Sequence, residues 1–512
     1  MAACSSQRRQ VVSPWELFTL RIGDILVAQG LLSQEDVAEA LQLQRVRGGQ
    51  LGECLEALGK ASREDIERAL SIPPKSPRSV AETSLSLASL LNLMIKAVKA
   101  AGEATRSSIG ATLGLPTLVV AELIEEANRR NLLEALGSAD GAVAGEIRYA
   151  LSSAGLIWAR QAIEQNEYVG AAPVTLEAYQ AQLRVQSIAD ERVSRVAVQQ
   201  AFAGMEIPER LLRELGPAVN SGRSILLYGP PGNGKTSIGQ RIGRIFRGMV
   251  FIPYCLEVEG QIIRVFDPVV HRALDVQAVE GNLRKDNFDS RWVACWRPFV
   301  VAGGELTLEM LDLKYDKHAK FYEAPMHIKA LSGIFLIDDF GRQQVTPEEL
   351  LNRWIVPMES RVEYLKLHTG KTFSLPFDEL VIFSTNLAPA ALMDGAFLRR
   401  IPYKIEIGGP SRDEYRRIFQ RVCEAKGIPP DAFFVDAVID DLTERNDFPL
   451  ASFQPQFLID QVLAASRFDA VAPTLTGEYL TLGLSNLHTR DTAGFRSPPM
   501  LVEASNDSAE AA

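Results

Sequence analysis

Nine consecutive residues, GPPGNGKTS at 229–237, have the types and spacing that hold a phosphate chain. The stretch satisfies G-x-x-x-x-G-K-[ST], and each position has a physical task. Gly229, Gly232 and Gly234 let successive backbone N–H groups turn toward a phosphate, with Pro230, Pro231 and Asn233 completing the loop. Lys235 is placed to reach the β- and γ-phosphates and the Thr236 hydroxyl to hold Mg²⁺, with Ser237 next to it in the first turn of a helix. The helix N-terminus adds its own positive end. SILLY at 224–228 is an apolar run of strand length, and an amphipathic pattern follows the loop, so strand, loop and helix come in the order this chemistry requires.

About a hundred residues on, GIFLIDDFGR at 333–342 sets an apolar strand in front of Asp338 and Asp339. In a parallel sheet, carboxylates at a strand's C-terminal end lie beside such a loop, where Asp338 orders a Mg²⁺-bound water and Asp339 polarises the attacking one. Two acids capping a buried strand for structural reasons would explain the charges but not their partnership with the loop. Asp339 stands where glutamate is usual. Its side chain is one methylene shorter, and small displacements of a base slow hydrolysis. A third strand, ELVIFSTN at 379–386, ends in Asn386, whose amide is suited to position the water or touch the γ-phosphate.

After Asn386 comes DGAFLRRIPYKIEI at 394–407. GPPGNGKT, the Asp338 strand, Asn386 and FLRRI, in that order, resemble the AAA+ ATPases over about residues 200–465. The resemblance implies an α/β fold, with a P-loop core and parallel sheet at 200–408 and a helical lid at 409–470. It also implies ATP and Mg²⁺ as cofactors, Asn386 as sensor 1, and Arg399 or Arg400 as the finger that reaches a neighbouring subunit's γ-phosphate. Adjacent arginines point in different directions, so one serves and the other pairs with acids. A ring oligomer, a hexamer, acting on a protein partner follows from the same resemblance. The lid carries Gln456 roughly where related ATPases have the sensor 2 arginine. PFVVAGGELTLEMLDLKYDKHAKFYEAPMHIKA at 298–330 alternates like paired strands, and VEYLKLHTGKTFSLPF at 362–377 reads as a hairpin with His368 at its tip. Such insertions resemble those of MoxR-type and related prokaryotic, bacterial subgroups.

The N-terminal part carries a duplication. RIGDILVAQGLLSQEDVAEALQLQ at 21–44 recurs, shifted by 29 residues, as QLGECLEALGKASREDIERALSIP at 50–73, and each copy has an S-x-x-D helix start, Ser33 with Asp36 and Ser62 with Asp65. One reading is a small helical adaptor at 14–74 whose glycines permit tight turns. The other is a resemblance to the N-terminal domain of type II secretion and pilus ATPases, some of which bind cyclic di-GMP through tandem RLGxxLxxxGxxxxxxLxxxLxxQ motifs. Arg21, Gly23, Leu26, Gly30, Leu41 and Gln44 match it in the first copy; in the second, Gln50 and Pro73 replace the arginine and glutamine. A Pro- and Ser-rich linker is expected at 75–86. Residues 87–136 read as three amphipathic helices broken at Gly102 and at Gly114-Leu115-Pro116, with a strand pattern in GEIRYALSSAG at 145–155, so that 87–165 resembles a winged-helix domain. Glu122, Glu125 and Glu126 precede Arg129 and Arg130 on its third helix, which favours protein docking over nucleic acid. A connector is expected at 166–199 and a weakly ordered tail at 471–512.

The 512 residues, 46% hydrophobic and 23% charged, suit about three domains of a water-soluble protein. Lys plus Arg number 54 against 64 Asp plus Glu, a net charge of −10 without a general basic footprint. The five cysteines are scattered, with no CxxC, and the five histidines have no ligand spacing, so neither a disulfide frame nor a zinc site is expected. No signal peptide or run of about 18 apolar residues is present, which points to the cytoplasm without direct membrane insertion. Two other functional classes stay open: a nucleotide-gated signalling scaffold with little turnover, favoured by Asp339 and Gln456, and a secretion-type motor, suggested by the repeat.

Overall fold

The main sheet is built from short strands with almost nothing but apolar side chains. In a computed structural model, which describes residues 23, 26–27, 31–47, 51–62, 73–138, 146–191, 193–246, 248–274, 288–392 and 395–487, the strands are Ile225–Tyr228 (β1), Phe299–Ala302 (β2), Ile334–Ile337 (β3), Leu380–Thr385 (β4) and Tyr403–Glu406 (β5). All pair in parallel, in the order β2-β3-β4-β1-β5. A parallel sheet is covered on both faces, which is why β3 and β4 are buried at every residue. The strand period of two divides the core. Ile225, Leu227, Leu336 and Ile382 pack with Ile238 and Ile242 of the helix after the loop, while Leu226, Phe335, Ile337 and Phe383 pack around Trp354 on the other face. Trp354 is fully buried, with the Phe335 and Phe377 rings 5.6 and 5.9 Å away. Ile337 pairs with Phe383 and Thr385 with Tyr228, so three strand ends lie side by side and open onto 229, 338 and 386.

The helical lid follows β5: Arg412–Lys426, Ala432–Asp440 and Gln454–Phe468 share one apolar core. It does not stop at 470 as expected. Gly477–Leu487 is a further helix, with Leu484 fully buried, Tyr479 Oη donating to Asp469 at 2.9 Å and Asn486 to Gln461 at 2.9 Å. Its Gly, Thr and Ser content masked the apolar spacing in the sequence; Gly483 lies where the helix comes close to Leu458. The rest of the expected tail, 488–512, lies outside the described residues.

Three other expectations change. The supposed paired strands at 298–330 divide: Phe299–Ala302 is the edge of the main sheet, and only Lys314–Asp316 and Phe321–Glu323 pair antiparallel, in a second sheet with Gln261–Arg264, Cys255–Val258 and Val174–Thr175. The connector at 166–199 is therefore not a tether. Val174–Thr175 lies parallel to Cys255–Val258, and Gln186 exchanges hydrogen bonds with the Phe251 backbone at 2.9 and 3.1 Å. The linker at 75–86 is also packed: Asp289 N–H donates to Pro74 O at 3.0 Å and Val80 N–H to Glu122 at 3.0 Å. Beside it, the Asp289–Arg291 ion pair (2.8 Å) is almost wholly buried, and Arg291 reaches the Thr83 and Pro173 carbonyls. The hairpin at 362–377 forms as expected, Val362–Lys366 against Thr372–Pro376.

In the 87–165 region the helices Leu87–Ala101, Arg106–Leu113 and Thr117–Arg129 form, the first two ending at Gly102 and Gly114 with positive φ. The third stops short of 136, because Asn131 turns left-handed (φ 54°) and Leu133–Ser138 pairs with Ile147–Leu151 and, through it, Ala104–Thr105. Arg129 and Arg130, both exposed, pair with Glu126 at 2.6 Å. In the N-terminal repeat the Ser33–Asp36 helix start forms (Asp36 N–H to Ser33 Oγ 3.1 Å), opening Gln34–Arg47. Asp65 of the second start lies outside the described residues.

Glu379, immediately before β4, is fully buried, and among the described residues neither of its carboxyl oxygens has a hydrogen-bond partner. Burial holds its pKa well above the ordinary 4.5, reinforced by the Glu363 carboxylate. The unfolded chain ionises this group while the folded chain keeps it neutral, so it lowers stability progressively as pH rises above about 4.5. Glu379→Gln is expected to raise the thermal unfolding temperature near pH 8 and to make no difference near pH 4. Melting curves at both pH values check this, and an equal gain at both contradicts it.

Candidate nucleotide site

The loop after β1 needs its glycines. Gly229, Gly232 and Gly234 have φ of 139°, 78° and 79°. A Cβ on Gly229 would lie 2.3 Å from the Ile407 carbonyl oxygen, and one on Gly232 2.3 Å from the Phe453 ring. Pro230 and Pro231 form the exposed crest. Gly234 caps the helix Lys235–Gly243 and has no side chain to accept from its first turn, so those N–H groups and the helix's positive end are left for an anion. Lys235 folds back over the loop, donating to the Gly229 and Pro230 carbonyls at 3.0 and 2.9 Å. Burial lowers its pKa, opposed by Asp339 and Asp338.

Thr236 Oγ1 lies 2.8 and 3.0 Å from the two oxygens of Asp338. The hydroxyl and carboxylate that would share a Mg²⁺ are thus in contact, as the alignment of β1 and β3 through β4 demands. They are hard oxygen donors, suited to an ion that keeps several waters and takes its remaining ligands from phosphate. Among the described residues no cluster of three His, Cys, Asp or Glu could hold a metal unaided. Asp339 has left-handed backbone (φ 50°), and Asn386 Nδ2 is 3.5 Å from its Oδ1.

Part of the site had no legible signal in the sequence. A cavity of about 670 Å³ opens between core and lid beside the loop, walled by Met205, Ile207, Ile407, Val422 and Phe453 and reached by Ser237. It is apolar enough for a flat ring and lies next to the 229–237 loop. Glu206 bridges its two sides, accepting from Arg417 Nε at 2.6 Å and Arg421 Nη2 at 3.1 Å. The lid also binds the loop directly: Phe453 N–H donates to Gly232 O at 3.0 Å, and Ser452 N–H to Asn233 Oδ1 at 3.1 Å. Nothing in GPPGNGKT reveals that Asn233, nearly buried, serves the lid. Gln456 lines the cavity and donates to Asp460 at 2.7 Å.

The two candidate finger arginines differ. Arg400 Nε is 2.6 Å from Glu359, whereas Arg399 is exposed and forms no ion pair among the described residues. Of the residues matched to a cyclic di-GMP motif, Arg21 and Gly30 lie outside the described residues. Leu26 is fully buried in an apolar cluster, and a Cβ on Gly23 would meet Val37 at 2.7 Å, so both are used in packing. Leu41 and Gln44 are half-buried on Gln34–Arg47.

Comparison with known proteins gives partial matches. A family described as "Domain of unknown function (DUF8689)" matches residues 411–486, the lid including its last helix. Over 221 residues the chain is 25% identical to the vesicular-fusion protein sec18 of Schizosaccharomyces pombe, which covers 38% of this chain and 26% of that protein. The chain thus matches about a quarter of that relative's length. Among solved structures, the Thermotoga maritima RuvB Holliday junction branch migration motor is 14% identical with a TM-score of 0.30, over 60% of this chain and 73% of that one. NtrX from Brucella abortus is 12% identical with a TM-score of 0.36, over 66% and 68%. The mixed α/β core, with its parallel sheet and helical lid, has the layout that the AAA+ resemblance implies. Among the described residues no single helix is long and apolar enough to cross a membrane, and Cys54, Cys255, Cys295 and Cys423 are buried.

Gly232 carries both the turn and the lid contact. Gly232→Ala is expected to weaken binding of a fluorescent ATP analogue about tenfold or more, through left-handed strain and the clash with Phe453. Adding Phe453→Ala removes the clash, so titration of the double variant should recover part of the loss. Equal affinities in the two variants count against the contact.

Proposed function

We propose that the chain is an AAA+-type ATPase that binds ATP with Mg²⁺ at 229–237 and hydrolyses it in a ring, a hexamer, to remodel a protein partner in the cytoplasm. The observation that carries the reading is the Thr236–Asp338 contact of 2.8 Å at the edge where Lys235, Asp339 and Asn386 also meet. Bound Mg²⁺ supplies the positive charge that offsets the triphosphate and orients its oxygens. The chain's own residues do the rest. Lys235 exchanges two loop carbonyls for phosphate oxygens, a stronger charge-assisted contact for a partly desolvated ammonium. Asp339 Oδ accepts the proton of the attacking water, and Asn386 holds that carboxylate and the water in line. Arg399, exposed and without an ion pair among the described residues where Arg400 is tied to Glu359, serves a neighbouring subunit's site.

The modules before residue 200 select the partner. Net acidity and the engagement of Arg129 and Arg130 by Glu126 favour a protein over nucleic acid. A cyclic di-GMP role for the repeat has weaker support, since Gly23 and Leu26 are used in packing; heat on titrating the dinucleotide into the full chain is its test. A second reading, a nucleotide-gated scaffold with little turnover, is favoured by Asp339 in place of glutamate and by Gln456 held on Asp460.

Lys235→Ala should abolish ATP binding. Asp339→Asn should keep binding and lower turnover about 100-fold or more. Arg399→Ala should lower turnover where Arg400→Ala does not, and only at concentrations that assemble the wild-type chain. Steady-state assays over a protein dilution series check all three. Tight binding with near-zero wild-type turnover at every concentration selects the scaffold reading.

A further inference from the structure

Gln343 makes two contacts in the turn after β3 that the residue roles above leave unexplained. Its Nε2 donates to the Asp338 carbonyl at 2.8 Å, and its Oε1 accepts from Gly341 N–H at 2.8 Å. The Asp338 carbonyl belongs to the peptide between the two acids. Holding that peptide fixes the rotation about the N–Cα bond of Asp339, which sits at φ 50°. Left-handed backbone is rare for residues with a Cβ and is best tolerated by Asn and Asp. The same geometry therefore accounts for aspartate rather than glutamate at 339.

The remainder of the turn is pinned independently. Phe340 N–H donates to Ser384 O and Thr385 Oγ1 to Phe340 O, both at 2.7 Å, so β4 holds the residue after Asp339. Gly341 (φ 99°) is confined, since a Cβ there would lie 2.8 Å from Leu392. Within the 338–339 peptide itself, the Asp339 N–H donates to Asp338 Oδ1 at 3.1 Å, and Gln343 holds the opposite, carbonyl end. Its amide has the donor and acceptor to bridge the two backbone groups at once.

We propose that Gln343 is a positioning residue for ATP hydrolysis: it orients the peptide between Asp338 and Asp339, so that Asp338 stays on Thr236 while the Asp339 carboxylate faces the attacking water beside Asn386. This rests on the hydrolytic reading above. Misplacement of a base by about 1 Å costs on the order of a hundredfold in rate, while among the described residues Gln343 makes no hydrogen bond to the 229–237 loop or the lid and acts on them only through Asp338.

The test uses the full chain as wild type, Gln343→Ala, Gln343→Glu and Asp339→Asn, measuring MgATP turnover, affinity for a fluorescent ATP analogue and thermal melting between about pH 5.5 and 8.5. Gln343→Ala should lower kcat about 10- to 100-fold and change affinity less than about threefold. Gln343→Glu still accepts from Gly341. When ionised it turns a carboxylate toward the Asp338 carbonyl, and when protonated it donates to it. Its kcat relative to wild type should therefore rise as pH falls, a change that mere loss of fold does not produce. Unchanged kcat in Gln343→Ala, kcat and affinity falling together with the melting temperature, or a Gln343→Glu profile parallel to wild type would each overturn the inference. If wild type shows no turnover that depends on Asp339, the hydrolytic reading fails and this inference with it. If Asp339→Asn behaves as expected and Gln343→Ala does not, only the inference fails.

Discussion

Parallel pairing of β3, β4 and β1 is the constraint on which the rest depends. Neighbouring strands that run the same way end on the same side, and their register leaves 338, 386 and 229 as consecutive positions along one edge. Burial on both faces makes that register hard to slip, because a shift of one residue would turn every apolar side chain to the wrong layer. The Thr236–Asp338 contact, the nearness of Asn386 to Asp339 and the placement of a helix N-terminus at Lys235 all follow from it.

The lid is joined to this edge by backbone and charge together. Phe453 and Ser452 bond to the loop itself, and Glu206 collects two arginines from the first lid helix. The loop is joined to the lid through Gly232 and Asn233, and not through a charged side chain at the start of Gln454–Phe468. Position 456 holds a glutamine tied to Asp460 instead.

What was legible in the sequence was local. The loop, the acids after β3, Asn386 after β4 and the hairpin at 362–377 are each contained in about ten to twenty residues whose types state their own geometry. What was not legible depended on partners far along the chain. Phe299–Ala302 reads as half of a hairpin, yet its partner is Ile334–Ile337. Val174–Thr175 is a strand because Cys255–Val258 is there to receive it. Asn233 reads as a loop residue until Ser452, more than two hundred positions later, donates to it. Gly477–Leu487 was concealed by weak helix formers and is stabilised by packing on Leu458 and Gln461.

The ion pair between Asp289 and Arg291 has a mechanical meaning. It sits where the segment at 73–83, the chain before Val174 and the strand Trp292–Trp296 converge, and Arg291 reaches carbonyls of two of them. A buried pair of this kind has no intermediate state of low energy, since parting it strands a charge away from water. Through this one side chain the segment at 73–83 and the chain before Val174 are tied to the start of Trp292–Trp296, and the chain that follows, at Pro298 and β2, is bonded to β3.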